Sequence, residues 1–276
     1  MKKSLAILLT LVLAVAMFAG CSTMTKDEAK KKVTDDGKDA LKIACELTSE
    51  EYGIAFRKNS NLTAIVNGYV DELKADGTLT ALAEKYELTL SESAPLEDEE
   101  AILDDLKYIT DNGKMIIGIT DYEPMNYKDE MGEWTGFDTE FALAVCEKLG
   151  VKAEFIEIDW DSKFLALESK AIDCIWNGMT ISEDVLKNTS CSVAYVKNAQ
   201  VVVMAASKAD QYKDAESMKD LTFAVESGSA GATAAADNGF ANVVETGTQT
   251  DAYLEVMSGS CDACIIDLTM ANAMLK

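Results

Sequence analysis

The sequence predicts an α/β protein with mixed, mainly parallel sheets flanked by helices. Three observations lead there. The chain has 276 residues, a length that suits one large domain or two lobes of ordinary size. Its composition, 48% hydrophobic and 26% charged, is that of a globular protein. From residue 114 onward, short apolar runs alternate with helical patterns, as strands joined by crossover helices do.

The elements follow in order. Leu41 to Cys45 and Tyr52 to Phe56 read as short strands. Leu62, Ile65, Val66, Tyr69 and Leu73 make one apolar stripe, so a helix starts at Asn61 and stops at Asp76-Gly77. Leu79 to Tyr86 continues as a second helix. Residues 89–113 read as a connector. Acidic residues 97–100 crowd the start of a helix there, which carries Ile102, Leu103, Leu106 and Ile109 and ends at Asn112-Gly113. Strands are expected at 115–120, 153–158, 171–177, 199–204, 221–225 and 264–267. Helices are expected at 137–149, 164–170, 230–238 and 269–276.

The amino terminus reads as an address label. Lys2 and Lys3 precede an apolar run from Leu5 to Phe18, too short to span a bilayer comfortably. The run ends in Phe18-Ala-Gly-Cys21, which resembles a bacterial lipoprotein box. That resemblance implies a signal peptide over 1–20, lipidation of Cys21 and a polar tether over 21–40. Two acyl chains would anchor the protein stably, at the extracytoplasmic face of the cell membrane.

Composition also excludes functions. With 48 acidic against 25 basic side chains the net charge is -23, so a phosphate backbone would be repelled and nucleic acid is no partner. The chain has no histidine, which removes Ser-His-Asp and Cys-His catalysis and imidazole metal sites. No metal site, cofactor or catalytic residue is expected. Cys45, Cys146, Cys174, Cys191, Cys261 and Cys264 remain beyond the lipobox. An even number in an exported chain allows a disulfide, while apolar surroundings favour buried thiols.

Residues 114–204 resemble the first lobe of the bacterial extracellular solute-binding proteins of family 3, the polar amino-acid receptors of ABC importers. The matching stretches are Ile117-Gly-Ile-Thr-Asp-Tyr-Glu-Pro124, Gly136-Phe-Asp138, Ala171-Ile-Asp-Cys-Ile-Trp-Asn-Gly-Met-Thr180 and Asn198-Ala-Gln-Val-Val-Val203. Residues 221–276 look like the start of the second lobe. The rest of that pattern lies at the front: Leu41 to Ser60 resembles the return strand and second hinge, and Val66 to Tyr86 the carboxyl-terminal helices. The expected fold is therefore periplasmic-binding-protein-like with a two-strand hinge, circularly permuted. Residues 41–52 and 205–276 would form lobe two, and 53–88 and 114–204 lobe one, with 89–113 as connector. The hinge rotation is expected near Gly53 and Val201.

The resemblance implies a cleft that closes on a small amino-containing ligand. Trp160 and Tyr122 match the aromatic pair around the ligand. Asn177, Gly178 and Thr180 match a strand-end loop that bonds it. Ser229 and Ala230 lie in the turn Ser227-Gly-Ser-Ala-Gly231, whose amides suit a carboxylate. Asp267, and also Asp121, match the carboxylate for the ligand ammonium. Val185 stands where the family places its carboxylate-binding arginine. Each reading has a structural alternative: Trp160 as core, Asn177 as a loop brace, Asp267 as the cap of the last helix. Expected partners are the ligand, ABC permease subunits and the membrane, with the protein itself a monomer. A sensor or scaffold without transport is the alternative, and a dehydratase on the same scaffold, using Asp121, Asp267 or a lysine, a lesser one.

Overall fold

The strands on either side of each passage between the two lobes run antiparallel to their neighbours, and this organises the fold. The computed structural model describes residues 40–92 and 100–276. Cys21, the apolar run before it, the tether and the acidic residues 97–99 lie outside the described residues.

Lobe one is built around β3 (Lys114–Ile119). From β3 the chain passes through helix α4 (Phe137–Leu149) to β6 (Lys152–Glu157), which pairs parallel with β3. It then passes through the short helix α5 (Lys163–Glu168) to β7 (Cys174–Thr180), which pairs parallel with the other side of β3. Two crossovers around one central strand give the order β6-β3-β7. Gly136 and Gly150 bound α4, at φ 115° and 70°. A Cβ at Gly136 would lie 2.3 Å from the Met125 carbonyl oxygen, so only glycine permits that entry.

Lobe two repeats the device around β11 (Thr222–Glu226). Helix α8 (Ala230–Asp237) leads to β12 (Asn242–Thr246), and α9 (Gln249–Ser258) leads to β13 (Ala263–Asp267). Both strands pair parallel with β11. The closing helix α10 spans Leu268–Met274.

The front of the chain joins both sheets. β1 (Leu41–Glu46) pairs antiparallel with β10 (Gln200–Ala205), and β10 pairs antiparallel with β13. β2 (Glu50–Arg57) inserts into lobe one, antiparallel to β7 on one side. On its other side lie β8 (Thr189–Cys191) and β9 (Val196–Asn198). The antiparallel pairings of both main sheets all involve β2 or β10. Between these sheets the chain crosses at residues 47–49 and 199. Leu47 N donates to the Gln200 carbonyl at 2.8 Å and Gln200 N to Thr48 Oγ1 at 2.9 Å. The hinge therefore lies outside Gly53 and Val201, which sit inside paired strands. Glu50–Tyr52 belongs to the lobe-one sheet and Gln200–Met204 to the lobe-two sheet, unlike the expected boundaries. Apolar runs mark a strand without saying which sheet receives it.

Helices α1 (Leu62–Ala75) and α2 (Thr78–Tyr86), from the front of the chain, cover lobe one. Leu62, Val66 and Val70 share a core with Ile54 and Phe56 of β2 and Phe141 of α4. Ala55, between Ile54 and Phe56, faces the opposite side of the sheet, with Ile175 and Met179. β10 alternates likewise, Val201 and Val203 packing into one core and Val202 and Met204 into the core on the other face. Burial on both faces explains why these strands read as unbroken apolar runs.

The connector differs from expectation. Its helix, α3, spans only Asp105–Asn112 and is capped by Asp104, whose side chain accepts from Lys107 N. Ile102 is exposed and Leu103 bridges to Ser60 instead of joining a helical face. Arg57 explains the placement. It is buried, and donates to Asp105 Oδ2 at 3.1 Å, Asp173 Oδ1 at 3.0 Å and the Ile172 carbonyl at 2.8 Å. The chain's one arginine is a structural tie, not a ligand group. All six described cysteines are thiols rather than disulfides.

Several elements were not expected: β8, β9, β12, the hairpin β4 (Tyr127–Lys128) with β5 (Trp134–Thr135), helices α6 (Glu183–Asn188) and α7 (Ala206–Ala209), and α9. Most are short. β12 is an exposed edge strand without an apolar face.

Candidate functional site

Ligands of open α/β sheets bind beyond the carboxyl ends of the strands. Here β7 ends at Thr180, β11 at Glu226 and β13 at Asp267, and all three residues line one cavity of about 210 Å³ between the lobes. Lobe one adds Trp160, Lys163 and Phe164. Lobe two adds Ser229, Ala230 and Gln249, the hinge adds Thr48, and the first residue of β2 adds Glu50.

Asp267 sits at the acidic end of this cavity, buried. Its Oδ1 accepts from Gln200 Nε2 at 2.8 Å and from Asn198 Nδ2, and its Oδ2 accepts from Gln249 Nε2. Glu50 Oε1 accepts from the same two amides, at 2.7 Å from Asn198 and 2.8 Å from Gln200, and from Thr180 Oγ1 at 2.8 Å. Two carboxylates thus share two amide groups, and no cation is among their hydrogen-bond partners in the described residues. Burial raises the Asp267 carboxyl above its ordinary range, and the Glu50 charge pushes the same way.

Glu226 is a third carboxyl, 3% exposed. Its Oε1 has no hydrogen-bond partner. Burial, with the Asp267 charge adding and Lys163 opposing, pushes its pKa up to about 8. Lys163 Nζ donates to the Trp160 carbonyl at 3.1 Å and, across the cleft, to the Gly228 carbonyl at 2.9 Å. It also lies 5.1 Å from the Trp160 ring centre and 4.9 Å from that of Phe164. Burial lowers its pKa.

The turn before α8 faces lobe one. Ser229 caps that helix, its Oγ accepting from Ala232 N at 3.2 Å. Gly228 has φ 67°, and a Cβ there would lie 2.9 Å from Asp161 Cα. Glycine is what lets the two lobes meet this closely. Opposite it, Gly178 has φ 54°, and a Cβ there would lie 2.7 Å from the Tyr122 ring.

Eight of the nine residues selected from sequence line this one cavity: Tyr122, Trp160, Asn177, Gly178, Thr180, Ser229, Ala230 and Asp267. Asp121 does not. The Tyr122 ring turns inward and is buried, while the Asp121 backbone carbonyl accepts from Thr250 Oγ1 of α9 at 3.5 Å. Two of the eight are engaged within lobe one. The Gly178 amide donates to Asp138 Oδ2 at 2.6 Å. Asn177 Oδ1 accepts from Thr120 N at 3.0 Å and Thr120 Oγ1 at 2.7 Å. The Tyr122 hydroxyl is held by Tyr52 and by Thr269 of lobe two, at 2.5 Å each. Asp267 occupies the cap position of α10, but its side chain makes no capping bond. Val185 forms part of the cavity wall and packs among apolar residues.

Sequence reading missed Glu50, Lys163, Glu226 and Gln249. Lys163 and Glu226 were within reach, three residues after Trp160 and one before the Ser-Gly-Ser-Ala-Gly turn. Glu50 and Gln249 carry no local signal, because the start of β2 and the start of α9 are brought to the cavity only by the assembled sheets.

The family model of the bacterial extracellular solute-binding proteins, family 3, matches residues 115–257. Arginine-binding extracellular protein ArtP of Bacillus subtilis (strain 168) is 32% identical over 169 residues, 59% of this chain and 64% of its own. L-cystine-binding protein TcyJ of Escherichia coli (strain K12) is 29% identical over 115 residues, 41% of this chain and 43% of its own. A probable amino-acid ABC transporter-binding protein of Haemophilus influenzae is 38% identical over 86 residues, 31% of this chain and 34% of its own. The chain thus matches between about a third and two thirds of the length of these relatives. Among solved structures, the arginine-bound form of truncated ArgBP from T. maritima has a TM-score of 0.59 at 30% identity, covering 61% of this chain and 80% of that one. An ancestral amino acid-binding protein, AncCDT-1, described as a precursor of cyclohexadienyl dehydratase, has a TM-score of 0.56 at 29% identity, covering 62% of this chain and 77% of that one.

Proposed function

The chain belongs to the bacterial extracellular solute-binding proteins, family 3, and we propose that it is the substrate-binding receptor of an ABC importer, closing two lobes over an amino acid or a related amino-containing solute. One observation carries this reading: strand ends of both lobes and the hinge converge on a single cavity, with an aromatic ring at Trp160 and a buried carboxyl at Asp267. The aromatic ring stacks on the ligand, Asp267 takes its ammonium, and the bonds across the cleft favour the closed state. Relatives named for arginine and cystine support an amino-bearing ligand.

The receptor would be held outside the cytoplasmic membrane by lipid on Cys21 and would deliver its ligand to the permease as a monomer. Among the described residues no helix is long and apolar enough to cross a membrane. The chain is read as circularly permuted. In support, the family match begins at residue 115, while β1 and β2 from the front of the chain pair into both sheets. Ligand sensing without transport uses the same cleft, and deletion of the gene for this protein separates the two by whether ligand uptake is lost.

A dehydratase reading draws on the AncCDT-1 likeness and on the raised Glu226 carboxyl as acid. It asks an anionic substrate to enter a cleft rich in carboxylates, which argues against it. Isothermal titration against amino acids and amines tests the receptor. Saturable one-to-one binding without turnover is expected, and no binding across the panel contradicts it.

A further inference from the structure

The cleft has a charge balance that an α-amino acid does not answer. Five carboxyls line the cavity, at Glu50, Asp184, Glu226, Asp237 and Asp267, against one ammonium at Lys163. That ammonium is directed at two backbone carbonyls and two aromatic rings. Val185 presents an alkyl group to the cavity, at the position where the resemblance would place an arginine.

Acidic clusters are common on surfaces, so the decisive observation is Glu226. It is 3% exposed, it lines the cavity, and its Oε1 meets no donor. A buried carboxyl oxygen without a donor costs stability unless something arrives to bond it. Asp267 and Glu50 already share neutral amides, so they lack a counter-charge rather than hydrogen bonds. Glu226 and Asp267 end the neighbouring parallel strands β11 and β13, whose axes lie roughly 4.8 Å apart. Both carboxyls line the same cavity, and the Asp267 charge bears on Glu226, so one ligand can meet both. The aromatic pair Trp160 and Phe164 already accommodates an ammonium of this chain, so the walls suit alkylammonium groups as well.

We propose that this cleft selects a ligand with two cationic groups and no carboxylate, a short aliphatic diamine or its guanidino counterpart, one cation held at Asp267 and Glu50 and the other at Glu226. The inference rests on the reading of this cavity as the ligand site and narrows it to one chemical class.

The test is isothermal titration of the intact protein with two matched pairs, lysine against cadaverine and arginine against agmatine. The members of each pair differ only in the carboxylate. The decarboxylated member is expected to bind at least tenfold tighter in both pairs. Equal affinity, or tighter binding of the amino acids, overturns the inference and leaves the amino-acid receptor standing. Silence to all four ligands with binding of a neutral amino acid does the same. Silence to every amine and amino acid overturns both readings. Glu226→Gln supplies a second arm: it should weaken cadaverine about ten- to hundredfold and bring the cadaverine-to-pentylamine affinity ratio toward one. An unchanged ratio overturns the role given to Glu226.

Discussion

At the scale of single residues, Glu226 is the group with most consequence. Burial sets the sign of its pH behaviour by raising the pKa; Asp267, Asp251 and Asp159 add to the shift, and Lys163 opposes it. An acid whose folded pKa lies at about 8, against an ordinary 4.5, binds a proton in the folded state that the unfolded chain has released. Stability from this group is present below pH 4.5 and is lost as pH rises through 8. The ligand-free protein should therefore melt at a lower temperature at pH 8 than at pH 5, and Glu226→Gln should shrink that difference. Thermal unfolding of both proteins at the two pH values checks it. An undiminished difference in the variant contradicts the assignment. Binding of a cation runs the other way, because it needs the charged carboxylate. Cation affinity should accordingly rise between pH 6 and pH 8. Asp267 was picked out by its match to the family's ammonium-binding carboxylate, since a strand end beside a helix start reads equally well as a cap. Glu226 was not, since a glutamate at a strand end reads equally well as a solvated one.

At the scale of elements, the turn from β11 into α8 controls how closely the lobes approach. Gly228 has no Cβ, and its carbonyl accepts from Lys163 at 2.9 Å. Gly228→Ala combines a left-handed backbone with a contact of 2.9 Å to Asp161 Cα on the facing lobe. The strain can be relieved by holding the lobes apart, so ligand affinity should fall at least tenfold while the far-ultraviolet spectrum stays unchanged. Titration and circular dichroism of the variant measure both. Retained affinity would show that the turn is not a closure contact. Strands such as Gln200–Ala205 were legible because both faces are buried. The edge strand β12 was missed because four of its five residues are exposed and carry no apolar alternation. The connector helix was placed too early because Ile102 and Leu103 fit the helical period. Asp104 supplies the cap that starts the helix later, at Asp105.

At the scale of the whole molecule, the segment from Leu41 to Tyr86 contributes to both lobes: β1 to one sheet, β2 to the other, and two helices to the larger core. No local pattern encodes these pairings, because partners such as Tyr52 and Thr180 lie far apart in sequence. The family resemblance indicated only that this segment completes the fold, and it could not locate the hinge to the residue. If the order is a permutation, moving residues 41–88 behind Lys276 through a short glycine-serine linker should give a soluble protein with the same ligand preference. Insolubility of that rearranged chain would count against the permutation. The most direct measurement is a crystal structure of the protein with the tightest ligand from the titration series. The ligand nitrogen should hydrogen-bond Asp267 in the cavity between Trp160 and Ser229. A ligand seated elsewhere, for example in the surface groove formed by Lys85, Tyr86 and Asn272, would contradict the assignment of the cleft.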